Sequence, residues 1–193
     1  MIKSSINISV SKNLSEELMK SLKDLSSKTL CIGIPEEENV QRESGITTAQ
    51  LLYLHTHGVR DEEMKKSMQK DLDKGTPYSK AHEMYVHEHG SPLHQVPPRP
   101  VLVPALEDGK EVIAELMRDA AVTILDGGNV NQELSKVGME GQNIVLDWFT
   151  SPKNNWAPNA ESTIKAKGSD RPLIDTTGMM KSITYVVKDG ENK

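Results

Sequence analysis

A short proline-rich segment constrains the fold of this chain more than any other feature. Residues 91–104 read SPLHQVPPRPVLVP and contain five of the ten prolines in the chain. Because proline lacks an amide N–H and clashes with the preceding helical turn, the interior of a helix does not tolerate this density. The segment therefore predicts an extended arm at residues 91–103, with other secondary structure on either side.

Arg99 lies between prolines in this arm. Pro97, Pro98 and Pro100 restrict the backbone, so the arm loses little conformational entropy when it docks, and the guanidinium offers a planar fork of donors. We predict that Pro97, Pro98, Arg99 and Pro100 contact another protein subunit. The alternative is an intramolecular strap over the chain's own domain. A ligand of the PxxP type is a weaker interpretation of the same prolines.

Two long helical patterns follow the arm. The first covers residues 104–126, and the second covers about 130–149 with Asn129 at the position of a helix cap. The short joint between them predicts an antiparallel pair. Gly138 and Gly141 lack side chains, so we expect another backbone to approach the second helix closely there.

The sequence before the arm predicts short strands and helices. Weak alternation at residues 1–10 indicates a strand, and leucines at helical spacing indicate an amphipathic helix at 14–26. An apolar run closed by proline at 29–35 indicates a buried strand. A further helix begins after Thr47, which has capping-box spacing with a glutamine, and ends at Gly58.

The C-terminal region predicts one more helix and one more strand. A short helix is expected at about 160–167, and the alternating segment 182–188 has strong β propensity. Together these elements predict a single α+β domain over residues 1–193. Its small, mostly antiparallel sheet packs with several helices, including the long antiparallel pair, and carries the Pro-rich extended arm.

Residues 59–84 have the pattern of a helical insertion. Charged side chains are dense there, and the apolar residues Met64, Met68 and Leu72 recur every fourth position as a narrow stripe. Such a pattern predicts a mostly solvated helix at 61–74.

Histidines occur in two matching segments, YLHTHG at 53–58 and YVHEHG at 85–90. This repeated pattern indicates a duplicated helix end on either side of the insertion. It also supports one alternative function, a metal-dependent hydrolase that uses His55, His57, His87 and His89. Histidines two residues apart do not share a helical face. We therefore favour capping contacts, in which cationic histidines meet the negative end of a helix dipole.

Motifs for catalysis are missing from the sequence. It contains no GxSxG, HExxH, GxxxxGK[ST] or GxGxxG pattern. The segment 175–178 reads DTTG, but it occurs once, whereas an aspartic-protease dyad requires two carboxylates. We therefore expect no catalytic residue, no cofactor and no bound metal.

Charge and composition narrow the classes of partner. The chain has 23 Lys and Arg against 28 Asp and Glu, a net charge of −5, so it lacks the cationic field that non-specific DNA binding requires. A nucleic-acid-binding module is therefore a weaker third hypothesis. The sequence has neither a run of about 18 apolar residues nor the apolar core of a signal peptide, so we expect no membrane association.

Cys31, the single cysteine, has apolar neighbours that predict a small buried hydrophobe in a reducing compartment.

The aromatic residues Trp148, Phe149 and Trp156 cluster near the end of the second long helix. Closure of the hydrophobic core is one interpretation. The alternative is an anchor between subunits, because tryptophan is enriched at the centres of protein interfaces. We include Trp148 and Trp156 among the predicted interface residues.

Several short motifs follow one another over most of the chain. CIGIPE at 31–36 precedes a helix that ends in His-x-His-Gly. GSPLHQVPPRPVLVPALE follows at 90–107, then the two long helices, and then WAPNAESTIKAKGSDRPLIDTTGMMKSITYVV at 156–187. This order resembles the family of tailed-phage morphogenesis proteins that act as neck, head–tail joining or tail-completion components. Val101 stands where the family's arm has Phe, and an extra Thr lies within the DTG element.

The resemblance implies a virion structural protein that forms a homo-oligomeric ring at the portal–tail junction. Its implied partners are a portal or head-completion connector protein on one side and a tail-terminator or tail-tube protein on the other. DNA would pass through the lumen without specific binding, which an acidic or neutral lumen favours. The resemblance implies a place in the virion after assembly in the host cytoplasm, and neither catalysis nor a cofactor.

Overall fold

The computed structural model describes residues 14–42, 45–58, 62–89 and 96–190, so the strand expected at 1–10 lies outside it. The helices are α1 (Leu14–Ser26), α2 (Thr48–His57), α3 (Glu62–Leu72), α4 (Tyr78–His89), α5 (Leu102–Asp108), α6 (Lys110–Leu125), α7 (Val130–Trp148), α8 (Glu161–Lys167) and α9 (Gly178–Lys181). The strands are β1 (Lys28–Gly33) and β2 (Thr184–Asp189). The predicted α+β class is confirmed.

The two strands come from distant parts of the chain and pair antiparallel, from Lys28 opposite Asp189 to Gly33 opposite Thr184. One face of this small sheet packs on α7. The expected close approach to α7 occurs, but the approaching groups are side chains of the sheet and not another backbone. A Cβ atom at Gly138 would overlap the ring of Tyr185, and one at Gly141 would overlap Cδ1 of Ile32.

Cys31 is exposed, which corrects the expected buried position. Successive residues of a strand point to opposite faces. Leu30 and Ile32 lie against the glycines of α7, so Cys31 lies on the other face of the sheet, opposite Val186. The apolar neighbours therefore do not indicate burial of Cys31 itself.

The long helices α6 and α7 pack against each other as predicted. The side-chain Oδ1 of Asn129 accepts a 3.0 Å hydrogen bond from the Gln132 N–H and caps α7. The helix expected at 104–126 instead starts at Leu102 and is interrupted at Gly109. A Cβ atom at Gly109 would lie 2.7 Å from Ile144 of α7, so the missing side chain at Gly109 leaves room for Ile144. The arm consequently ends before α5 rather than at residue 103.

The main hydrophobic core lies behind the arm, where α2, α5, α7 and α9 meet. Its buried members are Leu52, Val101, Ala105, Val145, Trp148, Phe149, Met179 and Ile183. A smaller core of Ile124, Val130 and Leu134 joins α6 to α7, with Leu25 and Val187 packed against it. Among the described helices, none has the length and apolar character needed to cross a bilayer.

The predicted insertion is a helical hairpin of α3 and α4 that continues to His89, beyond the expected limit of residue 84. The expected mostly solvated helix is α3: its stripe residues Met64 and Met68 are almost fully buried against Ala81, whereas residues 65–67, 69 and 70 are exposed. Helix α4 supplies the second apolar face that covers the stripe.

Candidate functional site

The described part of the arm, residues 96–101, crosses the C-terminal end of α2. The main-chain N–H of Arg99 donates a 2.6 Å hydrogen bond to the carbonyl oxygen of His55. Gly58 follows α2 with a φ of 71°, and a Cβ atom there would lie 2.8 Å from the backbone nitrogen of Pro98. The glycine of His-x-His-Gly thus permits both the end of the helix and the close approach of the arm.

The guanidinium of Arg99 is buried, with only 6% of the residue exposed. Its Nε and Nη2 donate to the carbonyl oxygen of Ala157 at 3.0 and 2.9 Å, and Nη2 also donates to that of Pro158 at 2.9 Å. Backbone carbonyls outside regular secondary structure need such donors when they are buried. The predicted contact of Arg99 with another subunit is therefore corrected to the intramolecular strap.

Both tryptophans hold the next residue of the arm. The indole N–H groups of Trp148 and Trp156 donate to the carbonyl oxygen of Pro100 at 3.3 and 3.0 Å. Trp148 is buried, and Phe149 packs edge-on against Trp156 with ring centroids 5.9 Å apart. This arrangement is the core-closure interpretation, and the burial of Trp148 corrects the expectation that it anchors another subunit. Trp156 is half-buried, and its contact with another subunit stays a prediction. Pro97, Pro98 and Pro100 are half-buried within the same strap.

Two cavities flank Arg99. The first, the α8 cavity, has a volume of about 430 Å³ and lies between the end of α2, helix α8 and the segment 173–179. The second, the hairpin cavity, has a volume of about 420 Å³ and lies between α4, the arm and residues 157–163. His55 and Arg99 line both cavities.

His55 has an uncharged imidazole at pH 7. Burial, together with the neighbouring Arg99 charge, lowers the pKa of His55 from 6.5 to about 4. Its buried Nδ1 has no hydrogen-bond partner among the described residues. The expected capping contact of a cationic histidine is therefore wrong at this position. At His57 a capping contact does occur, because Nδ1–H donates to the carbonyl oxygen of Tyr53 at 2.9 Å.

The segment 173–179 forms one wall of the α8 cavity in an unusual backbone conformation. Leu173 and Thr177 have φ values of 58° and 61°, in the left-handed region that disfavours residues with a Cβ atom. Lys167 holds the segment by donating from Nζ to the carbonyl oxygen of Ile174 at 2.7 Å, and also to that of Arg171. The wall is thus held by a lysine on α8.

Sequence reasoning missed this wall, because it considered Asp175 and its neighbours as a protease motif and as part of the terminal motif at 156–187, and not as the wall of a cavity. It also missed Arg42, Thr163 and Lys167, which line the same cavity. The one available signal was a polar, conformationally demanding stretch between two elements, which is where binding residues are commonly carried.

A metal centre receives no support from the described part of the chain. Within it, no group of three or more His, Cys, Asp or Glu side chains is placed to hold a metal ion. The histidines of the two matching segments lie on separate helices, α2 and α4.

No family model, curated protein or solved structure matches this chain. Function is therefore inferred from its own motifs and contacts.

Proposed function

We propose that the chain is a structural protein of the neck of a tailed phage. It assembles as a ring at the portal–tail junction and is needed for head–tail joining or tail completion. One observation carries the proposal: the described residues of the motifs on which the resemblance rests, spread over residues 31–187, contact one another in the fold.

The arm is the centre of these contacts. Arg99 binds His55 of the His-x-His-Gly motif through its main chain, and Ala157 and Pro158 of the terminal motif through its side chain. Motifs that specify one folded unit are expected to meet in space, because local and long-range preferences then agree.

The first and last motifs are joined in the same way. The strand of CIGIPE pairs with the strand that contains SITYVV, with Cys31 opposite Val186 and Ile32 opposite Tyr185. Both strands rest on the glycines of α7. Each motif therefore has a structural task in a common scaffold, which supports reading them as a set.

Assembly into a ring requires heterologous contacts, in which one surface of a copy meets a different surface of the next. Large apolar side chains are exposed on several elements, including Met19 of α1, Val103 of α5, Val112 of α6 and Met139 of α7. Such positions lie outside the strap. In this proposal, contacts with the neighbouring copy use them rather than Arg99 or Trp148.

Loss of the gene in the phage that encodes the chain tests the proposal. We expect DNA-filled heads and separate tails in electron micrographs, and we expect the chain in purified complete virions by mass spectrometry. Complementation with the wild-type gene and with Arg118→Ala, a change of an exposed residue on α6, should restore joined particles. Normal virions that lack the chain would contradict the proposal.

Assembly can be measured separately. Native mass spectrometry of the purified chain, alone and mixed with the portal protein, should give a ring-sized mass in at least one condition. The mixture is included because a ring can require its neighbour as a template. A strict monomer in both conditions would argue against a ring component.

A further inference from the structure

The α8 cavity is rich in hydrogen-bond donors and cations. Arg42, Arg99 and Lys167 line it, and among the lining residues that the structure describes Asp175 is the one acidic side chain. This excess of positive charge contrasts with the net charge of −5 of the whole chain. A concave site with cationic walls attracts anions.

Arg99 has a buried positive charge with neutral partners. Its guanidinium donates to the carbonyl oxygens of Ala157 and Pro158, and no acidic side chain in the described part of the chain forms an ion pair with it. A buried charge without a counter-charge is costly. An anion in the adjoining cavity would lower that cost.

His55 contributes a second polar group to the α8 cavity, and this group has no hydrogen-bond partner within the described residues. Its buried Nδ1 has no partner within residues 14–42, 45–58, 62–89 and 96–190, although the ring lines the cavity. A buried polar atom without a partner costs about 1–3 kcal/mol. A neutral imidazole can donate one N–H, so an acceptor-rich group satisfies it.

The size of the cavity indicates more than a bare ion. Its volume of about 430 Å³ is within the range of small-molecule sites. Leu51, Leu173 and Met179 line it together with the polar side chains. These apolar side chains suit the carbon part of a ligand whose charged end faces Arg42 and Arg99.

We propose that the α8 cavity binds an oxyanion carried by an apolar group, namely an organic carboxylate or a phosphate monoester. The cavity does not depend on ring assembly, so this proposal and the neck function can fail independently. The carboxylate and the phosphate share the chemistry of acceptor oxygens on a negative centre, to which arginine and lysine bind by charge-assisted hydrogen bonds.

Titration calorimetry with four probes tests the proposal and separates the two oxyanions. The probes are acetate, benzoate, inorganic phosphate and phenyl phosphate, each at constant ionic strength set with sodium chloride. We expect saturable binding with one ligand per chain. Benzoate should bind more tightly than acetate, or phenyl phosphate more tightly than inorganic phosphate, by about tenfold because the ring covers apolar wall. Absence of saturable binding by all four probes would overturn the proposal.

Two variants locate the site and a third controls for charge. Arg42→Gln should weaken binding about tenfold, and Asp175→Asn should tighten it because a like charge is removed. Arg118→Gln, which removes the same charge from the exposed surface of α6, should change affinity less than about twofold. Equal losses in Arg42→Gln and Arg118→Gln, or weaker binding by Asp175→Asn, would overturn the assignment.

Discussion

The main-chain N–H of Arg99 donates a 2.6 Å hydrogen bond to the carbonyl oxygen of His55. The side chain of Arg99 binds Ala157 and Pro158, so one arginine joins three segments that are distant in sequence. The strap is thus a structural element of the monomer, and stability is the property that its removal should change first.

Arg99→Ala should lower the free energy of unfolding by about 2–4 kcal/mol, because two carbonyl groups lose their donors and a buried side chain is deleted. Denaturant unfolding measures the change. Arg118→Ala, the exposed control on α6, should stay within about 0.5 kcal/mol of wild type. Wild-type stability of Arg99→Ala combined with lost assembly would restore the intersubunit contact predicted from the sequence.

Gly58 combines a conformational demand with a close contact to the arm, whereas Gly75 has a positive φ without such a contact. Gly58 and Gly75 have φ values of 71° and 83°, but a Cβ atom meets the arm only at Gly58, and at Gly75 it meets nothing within 4 Å. Both alanine variants carry the cost of a positive φ, and at Gly58 the ψ of 167° makes a backbone conformation that is open almost only to glycine, at about 1–3 kcal/mol. We expect Gly58→Ala to lose about 2 kcal/mol more than Gly75→Ala in denaturant unfolding. Equal losses would mean that the arm does not rest on Gly58.

Much of the local structure was predictable from the sequence. The helix expected at 14–26 has those bounds. The capping box at Thr47 is present, with its Oγ1 accepting from the Gln50 N–H and the Gln50 side chain accepting from the Thr47 N–H. These features depend on residues within one turn of each other, and their signals are therefore complete in a short stretch of sequence.

The features that sequence did not predict depended on contacts between residues that are distant in the chain. The close contact of Ile144 at Gly109 and the burial of Met64 depend on α7 and α4, which lie elsewhere in the chain. The internal partners of Arg99 are carbonyl groups after α7, which carry no residue-specific signal. The α8 cavity was not predictable for the same reason, since its walls come from four separate segments.

The packing of the sheet on α7 should reverse the usual effect of a glycine substitution. Replacing an exposed helical glycine by alanine stabilises a helix by about 1 kcal/mol. At Gly141 the added Cβ would overlap Cδ1 of Ile32, so Gly141→Ala should destabilise the protein by about 1–3 kcal/mol. Ile32→Val removes that Cδ1 atom, and the double variant should recover most of the loss. Additive losses in the double-mutant cycle would show that the clash is not with Ile32.

Thr177 is expected to be a destabilised position. Its φ of 61° is unfavourable for a β-branched residue, whereas glycine adopts it without strain. Thr177→Gly removes the strain but also raises the conformational entropy of the unfolded chain, which offsets part of the gain. We therefore expect the free energy of unfolding to rise by about 0.5–1 kcal/mol. Thr176→Gly is the matched control, because Thr176 does not have a positive φ, and this change should destabilise. The opposite order of the two melting temperatures would contradict the strain at Thr177.

The lowered pKa of His55 predicts how stability depends on pH. The folded pKa is about 4 against an ordinary value of 6.5, so the unfolded chain binds the proton more readily between these values. The stabilisation from the neutral ring is complete above about pH 6.5 and is lost as the pH falls toward 4. His82 also has a pKa lowered by burial and contributes with the same sign, so the comparison must be made between variants.

His55→Gln removes this contribution while keeping a polar side chain. Its free energy of unfolding should fall less than that of wild type between pH 7 and pH 4, by about 1–2 kcal/mol once the partial exposure of His55 is discounted. His57→Gln, which replaces the exposed ring two residues away, is the matched control for exchanging a histidine for glutamine at this end of α2. Denaturant unfolding at several pH values measures the three curves. Parallel curves for wild type and His55→Gln would mean that the imidazole of His55 is solvated and not partly buried beside Arg99.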